Sequence, residues 1–419
     1  MTRMALCLCG LLALAPCAYA QEFTVEELVA AARERAPELQ VARTEVGVAS
    51  GQVMQAALRP NPMLATSHER EPGGMAITTV EVEWPLDLFR RPSRVAVARG
   101  TVDITSLSIR DRERLLASAV REQAGRVLAA RRALELTNEA LTVARRIRDL
   151  LDRRVTEGGS TKLDANLAAV EALRLEAEAA VAAGDVEAAT IELKALAGLA
   201  PDARLVLSES LEALVGSPMV PPMTPVAAME ARPDLREAIA RIGLADARAE
   251  EARQDARSEI SMVGGYARNH YTFPQLGFNE RGVPVPIQNS FHTFTIGARM
   301  TLPWSNRNQG VLASALAERQ GAEALFSARQ RAARAEIDAS VAREREARRA
   351  VEIYATTVRE LARQNVDVIL EGYDLGRFPL SDVLMEQRRY LDVETAYTEV
   401  LSRAYDARTA VARAFGETR

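Results

Sequence analysis

A turn that occurs twice constrains this chain more than any other feature. At Tyr373–Leu391 a long charged segment meets Gly376 and Pro379, turns, and leaves as a second segment from Asp382. A weaker copy lies at Val155–Leu173. Gly158 aligns with Gly376, Asp164 with Asp382 and Leu173 with Leu391, all at the offset 382 − 164 = 218. Upstream, Pro37 aligns with Pro233, Leu39 with Leu235, Ala42 with Ala238 and Leu64 with Ile260, at 233 − 37 = 196. The chain therefore reads as two equivalent halves, residues 21–200 and 225–419, joined by a proline-rich linker at 201–224. Tip turns are expected at 156–164 and 374–382.

Most of each half reads as helix. No proline occurs from Ser93 to Ala200 or from Trp304 to Phe378, and aromatic residues are only 5% of the chain. Ala, Glu, Arg and Leu dominate these stretches, the composition of long helices and coiled coils. Arg94–Val155 and Val311–Tyr373 would each run for about 60 residues, roughly 90 Å. Val120, Val127, Leu134 and Leu141 recur at seven, with Leu116, Ala130 and Ala144 on the adjoining row. That is a coiled-coil seam with small residues permitting close approach. Most of the remaining charges read as a solvated face. Return helices are expected at Asp164–Ala197 and Asp382–Phe415, each closed by a glycine, Gly198 or Gly416, in a left-handed cap. Thr24 with Glu27 is a capping box for the first helix, and Pro37 opens the second.

Two short alternating segments interrupt each half: about 64–70 and 77–84, then about 260–268 and 292–302. Val80, Val82 and Trp84 alternate with Thr79, Glu81 and Glu83; Phe294, Ile296, Ala298, Met300 and Leu302 alternate with Thr293, Thr295, Gly297, Arg299 and Thr301. Period two with one apolar face fits a half-buried strand and equally a membrane β-barrel. Four strands cannot close a barrel, so the second reading requires copies that pool strands. Between the strands of the second pair lie 218 − 196 = 22 extra residues, with three prolines. These read as a long exposed loop of the kind barrels keep on the extracellular side.

The first twenty residues read as a secretory leader: Arg3, an apolar run over Met4–Pro16, and Ala18-Tyr19-Ala20 before Gln21. The run is short for a membrane anchor. Cys17 follows Pro16, a poor fit to a lipid-attachment box. All three cysteines, Cys7, Cys9 and Cys17, fall in this leader, so the mature chain has no disulfide to rely on. Its formal charge is 52 − 57 = −5, too mild and too acidic for a nucleic-acid partner. No later apolar run reaches 18 residues, so no spanning helix is expected.

A duplicated helix–strand–strand–long helix–turn–helix chain resembles the TolC-like outer-membrane efflux protein family over the whole mature chain. Tyr373, Gly376, Asp382, Val383, Leu384 and Leu391 match its Y-x-x-G-x-x-x-x-x-D-V-L turn. Leu302-Pro303-Trp304, Asn306-Arg307-Asn308-Gln309-Gly310 and Ala315 resemble its heavy-metal branch, the CzcC/CusC-type channels, and Trp84–Arg91 is the first-half version. The resemblance implies a mainly α fold with a small β part: a homotrimer with a twelve-stranded outer-membrane barrel, four strands per chain, continued by a coiled-coil helical tube through the periplasm of a Gram-negative bacterium. It implies a tripartite pump with a periplasmic adaptor (membrane fusion protein) and an inner-membrane RND-type transporter, and heavy-metal cations as cargo. Drug efflux or type I secretion is the alternative within the fold. A soluble periplasmic coiled-coil adaptor is the alternative class, which two registered repeats disfavour.

No catalytic, cofactor or metal constellation is legible. His68, His270 and His292 lack metal-ligand spacing and read as solvent-facing loop residues. Asp164 and Asp382 are candidates for a carboxylate ring at a periplasmic gate, with the plain helix N-cap as the competing reading. The resemblance further implies that Tyr373 bonds to Asp164 and helps hold the tip shut, with ordinary packing as the alternative. Where relatives often carry a basic residue two after the glycine, this chain has Phe378, with Arg377 one position earlier as a substitute. Gly158, Gly159, Ser160 and Gly376 are candidate adaptor-docking positions, or turn geometry alone. Thr79, Glu81, Glu83, Arg299 and Thr301 would line the barrel lumen.

Overall fold

The structure, a computed structural model, describes residues 21–72, 74–216 and 224–416. The expected leader, with Cys7, Cys9 and Cys17, lies outside these residues, as do 217–223 of the expected linker. In chain order the elements are β1 (Gln21–Phe23), α1 (Val25–Arg35), α2 (Pro37–Ala57), β2 (Met63–Arg70), β3 (Met75–Pro85), α3 (Arg90–Thr156), α4 (Lys162–Leu196), β4 (Leu205–Leu207), α5 (Leu211–Gly216), α6 (Pro225–Ala231), α7 (Pro233–Asp255), β5 (Ile260–Phe278), β6 (Pro284–Met300), α8 (Gln309–Ile353), α9 (Arg359–Asp374) and α10 (Leu380–Ala414). The described residues form two compact units, one within 21–40, 112–228 and 334–416, the other within 41–111 and 229–333.

The first unit is helical. Thr24 accepts from the Glu27 amide while Glu27 accepts from the Thr24 amide, the capping box that the sequence predicts. Val25, Leu28, Val29 and Ala32 form one face of α1 and join Val120, Ala124 and Val127 of α3, Leu193 of α4 and Leu401 of α10 in a common core. Leu28 and Leu193 are fully buried, each contributing about 1.5–3 kcal/mol relative to exposure. Gly198 ends α4 at φ +64°, and a Cβ there would stand 2.9 Å from the Arg35 carbonyl. That close approach seats the end of α1 against the end of α4.

Two features depart from expectation. Gln21–Phe23 and Leu205–Leu207 pair in parallel as a two-stranded ribbon, inside segments read as helix entry and linker. The second long helix is not uniform: Tyr354–Val358 is a π-helical turn between α8 and α9. There Tyr354 stacks on Tyr397 with ring centroids 6.5 Å apart, and π turns of this kind mark places where a helix register shifts.

The second unit holds a four-stranded antiparallel sheet in the order β2-β3-β5-β6. All four connections to long helices leave from one end of it, and both hairpin turns lie at the other. The helix end is fastened by arginines from the Trp84–Arg91 segment and the start of α3. Arg90 donates to the carbonyls of Asp255 and Arg257 and pairs with Glu259 at 3.1 Å. Arg91 donates to the Ala57 carbonyl, and Arg94 to those of Ala56 and Leu58. Guanidinium groups here satisfy the orphan carbonyls at the ends of α7 and α2.

The 22-residue insertion is not a loop. β5 continues to Phe278 and β6 begins at Pro284, so most of the insertion extends the hairpin. Tyr271, Phe273, Val285 and Ile287 supply strand-forming side chains. Pro274 falls at an irregularity between Phe273 and Leu276. Pro284 and Pro286 open an edge strand, a position that tolerates missing ladder donors.

Candidate functional site

The sheet has two unlike faces. Val80 registers with Tyr266, Val82 with Gly264 and Trp84 with Met262, while Tyr266, Gly264 and Met262 register with Phe294, Ile296 and Ala298. This face is apolar yet open: Phe294 is 78% and Ile296 88% exposed. Soluble monomers rarely leave so large a contiguous apolar patch uncovered. Tyr266 lies within 5.9 Å of the His292 ring and 5.4 Å of Phe294 on this side.

The opposite face is polar and half-buried. Thr79, Glu81 and Glu83 register with Ala267, Gly265 and Val263. Arg299 on β6 reaches across β5 to pair with Glu81 at 3.0 Å and with Glu83. Of the five residues read as lumenal, the structure thus brings Glu81, Glu83 and Arg299 together and sets Thr79 on the same face. Thr301 lies just past β6, its amide bonded to the Glu259 carbonyl. The three histidines are also on strands, not in loops. His68 lies 2.9 Å from the Thr78 hydroxyl, His270 3.0 Å from that of Ser290, and His292 2.7 Å from that of Tyr266.

In the helical unit the two turns are built alike but capped differently. Gly158 and Gly376 both have positive φ, 76° and 67°, a conformation cheap only for glycine. Gly158, Gly159 and Gly376 are exposed and Ser160 is partly so. Neither aspartate is the N-cap. Thr161 caps α4 and Asp164 completes the box from the third position, accepting from the Thr161 hydroxyl at 2.6 Å and from that of Ser160 at 3.3 Å. Pro379 stands where Thr161 stands in the first half, since 161 + 218 = 379, and it offers no capping side chain. Among the described residues, the Asp382 carboxylate accepts from the neighbouring Ser381 hydroxyl at 3.3 Å and completes no capping box. Tyr373 is not hydrogen-bonded to Asp164 among the described residues. It packs against an apolar cluster of Leu151, Ala165, Ala168 and Leu380 that draws both hairpins together. Phe378 folds back over Gly372, where a Cβ would sit 2.2 Å from its ring, and the Arg377 amide closes the turn on the Gly372 carbonyl at 2.8 Å.

Three glutamates among the described residues are exceptions to the solvated face, Glu237 at 7% exposure being one. Glu171 is 5% and Glu394 2% exposed. Glu394 is held by Arg359 at 2.7 Å and Arg132 at 3.5 Å. Glu171 of α4 pairs with Arg174 at 2.6 Å and with Arg388 of α10 at 2.5 Å. Burial pushes Glu171 up, but its bonds to Arg174 and Arg388 outweigh that and leave the carboxyl below its ordinary value. A depressed carboxyl stabilises the fold above the unfolded-state range and loses that contribution as pH falls through the folded value. Arg388 is half exposed, so Arg388→Met is expected to lower stability by about 1 kcal/mol at neutral pH. Thermal melts at pH 7 and in the acid range should show the deficit shrinking as Glu171 protonates. A deficit that stays constant contradicts the assignment. No signal in the sequence marked these residues, because burial depends on which helices meet.

Among the described residues, no helix is long and apolar enough to cross a membrane, and no group of three or more His, Cys, Asp or Glu side chains is placed to hold a metal ion. The sequence profile of the Outer membrane efflux protein family matches residues 28–199 and 224–417. The chain is 25% identical over 386 residues to the cobalt-zinc-cadmium resistance protein CzcC of Cupriavidus metallidurans, covering 90% of this chain and 86% of that one. It superposes on a crystal structure of CusC with TM-score 0.77 at 17% identity, covering 94% of this chain and 92% of that one. The outer membrane protein VceC of Vibrio cholerae gives TM-score 0.72 at 20% identity, over 94% and 96% of the two chains.

Proposed function

The chain belongs to the outer membrane efflux protein family, and we propose that it is the trimeric outer-membrane channel of a heavy-metal efflux pump, conducting cations passively and catalysing no reaction. One observation carries the channel reading: a sheet with an exposed apolar face, a polar opposite face, and two open edges at β2 and β6. Water on one side and lipid on the other satisfies both faces. Three copies supply 3 × 4 = 12 strands, and closing the ring removes every open edge.

The cargo follows from the likeness to CzcC and from the Leu302–Gly310 segment. Deleting the gene is expected to sensitise cells to cobalt, zinc or cadmium, with the plasmid-borne gene restoring tolerance. Unchanged tolerance to all three, with lost tolerance to organic drugs, would move the chain to the drug-efflux alternative.

In this reading the paired turns form the periplasmic tip. Gly158, Gly159, Ser160 and Gly376 offer an adaptor a close backbone approach, and the adaptor couples the tube to an inner-membrane RND-type transporter. The unequal caps divide the aspartates' work. Asp164 is occupied by its capping box, whereas Asp382 is available to a ring of three carboxylates facing cations. Tyr373 and Arg377 support the closed turn by packing and backbone bonding. Asp382→Asn is expected to lower cation-over-anion selectivity in planar bilayers more than Asp164→Asn does, and Asp164→Asn to cost about 0.5–1 kcal/mol of stability instead. Equal selectivity changes would return both residues to one ring.

A further inference from the structure

All three histidines and two arginines share one face of the sheet. It is the apolar face, beyond the end of its apolar stretch. Across the four strands one row is His68, Thr78, Arg268 and His292, and the next row towards the hairpin turns is Arg70, Ala76, His270 and Ser290. The row on the helix side of them is Thr66, Val80, Tyr266 and Phe294, where the apolar stretch ends. Ile260–Arg268 counts 268 − 260 + 1 = 9 residues, close to the roughly 9–11 that a tilted strand needs to cross hydrocarbon. Neither basic row holds an acid. Glu69 pairs with Ile77 and so lies on the opposite face, and Glu71 is in the turn, its amide bonded to the Met75 carbonyl. The guanidinium groups of Arg70 and Arg268 make no ion pair among the described residues, and both residues are exposed. The histidines are held in place, each bonded through Nδ1 to a hydroxyl: His68 to Thr78, His270 to Ser290 and His292 to Tyr266. A hydroxyl that donates to Nδ1 leaves the ring proton on Nε2, where it can be donated to an anion. The rings do not converge on one metal ion, since His68 and His292 stand three strand spacings apart, roughly 14 Å.

We propose that Arg70, Arg268, His68, His270 and His292 form a binding band for the phosphate groups of lipopolysaccharide in the outer leaflet of the outer membrane. The proposal rests on the trimeric-barrel reading. With the helices in the periplasm, the hairpin turns face outwards, so the two rows stand at the outer edge of the lipid belt. Three copies repeat them around the barrel. Continuity with the apolar stretch selects a lipid over a soluble anion, because acyl chains lying against Phe294 and Ile296 deliver the headgroup to these rows. Arginine suits a phosphate because its planar fork bonds two oxygens at once. An arginine on a lipid-facing surface is costly at the midplane and cheap near the interface, and an anionic headgroup there turns the cost into an attraction.

The test titrates the detergent-extracted protein with bis-phosphorylated lipid A and counts bound lipids by native mass spectrometry. The parent is expected to bind it at least about tenfold more tightly than lipid A stripped of its phosphates, and Arg70→Gln with Arg268→Gln to cancel most of that preference. Arg268→Gln alone is expected to lose at least about threefold, and it carries the test if the double variant does not assemble. Arg268→Lys should lose less than Arg268→Gln. Equal affinity of the parent for the two lipids, or a preference that the glutamines leave untouched, overturns the band. So does displacement of lipid A by inorganic phosphate at equal concentration, which would assign the arginines to a soluble anion. Phe294→Cys separates this failure from a failure of the barrel, since residues 21–419 contain no other cysteine. In whole cells it should stay unlabelled by a charged, membrane-impermeant thiol reagent while a lipid-soluble maleimide reaches it. Ready labelling by the charged reagent contradicts the barrel itself, whereas a protected Phe294→Cys with equal lipid affinities sinks the phosphate band alone. Detergent-resistant oligomers on gels confirm that each variant has assembled.

Discussion

Ile296→Lys is expected to abolish recovery of the protein from the outer membrane, while Thr295→Lys, its neighbour in sequence, leaves assembly intact. Ile296 is 88% exposed on the apolar face and Thr295 lies opposite Gly265 on the polar one. If the apolar face meets hydrocarbon, a lysine near mid-sheet costs about 2–4 kcal/mol per copy. Three copies raise that to roughly 6–12 kcal/mol per assembly, comparable with the whole stability of a typical domain. The same charge beside Glu81 meets water and a carboxylate. Membrane fractionation with unheated gels reads both outcomes. A face that merely packed on another soluble protein would not require detergent for extraction of the parent chain, and both lysines would then leave it in the soluble fraction.

The second large effect lies in the helical unit. Gly198→Ala is expected to cost about 2–5 kcal/mol: roughly 1–2 for a Cβ in the left-handed region and about 1–3 for crowding. The new atom would meet the Arg35 backbone, which has no flexible end to withdraw. Gly158→Ala is the matched control. Its φ is +76° but nothing lies within 4 Å, so it carries the conformational cost alone. Thermal denaturation of the two variants should therefore differ by several degrees. Equal shifts would mean that the seat of α1 on α4 contributes nothing.

The duplicated turns, the left-handed glycines and the strand alternation were legible because each leaves a periodic or positional trace. Gly158, Gly198, Gly376 and Gly416 all take positive φ, as residues ending a helix at matched positions should. The faces of β3 and β6 follow from period two alone. What escaped was decided by partners distant in the chain. Prolines at 274, 284 and 286 argued for a loop, but a bulge and an edge strand accommodate them. Thr161 and Pro379 differ in capping ability, a difference hidden by attention to the matching aspartates. Glu171 and Glu394 look like the surrounding surface charges in sequence, and only the meeting of α10 with α3, α4 and α9 buries them. The Gln21–Phe23 pairing with Leu205–Leu207 is too short for any alternation to announce it.

The same physical logic joins these parts. Long amphipathic helices bury one stripe and leave another open, and a sheet with unlike faces needs two solvents. A four-stranded sheet would satisfy both demands by assembling with its copies around an axis, as proposed above.

The most direct test is the native mass of the protein extracted from outer membranes in mild detergent and stripped of it in the gas phase. Three copies per particle, together with β-sheet and helix signals in circular dichroism of the same sample, are predicted. A particle of one copy in every detergent, or one released from cells by osmotic shock without detergent, contradicts the shared barrel and the account built on it.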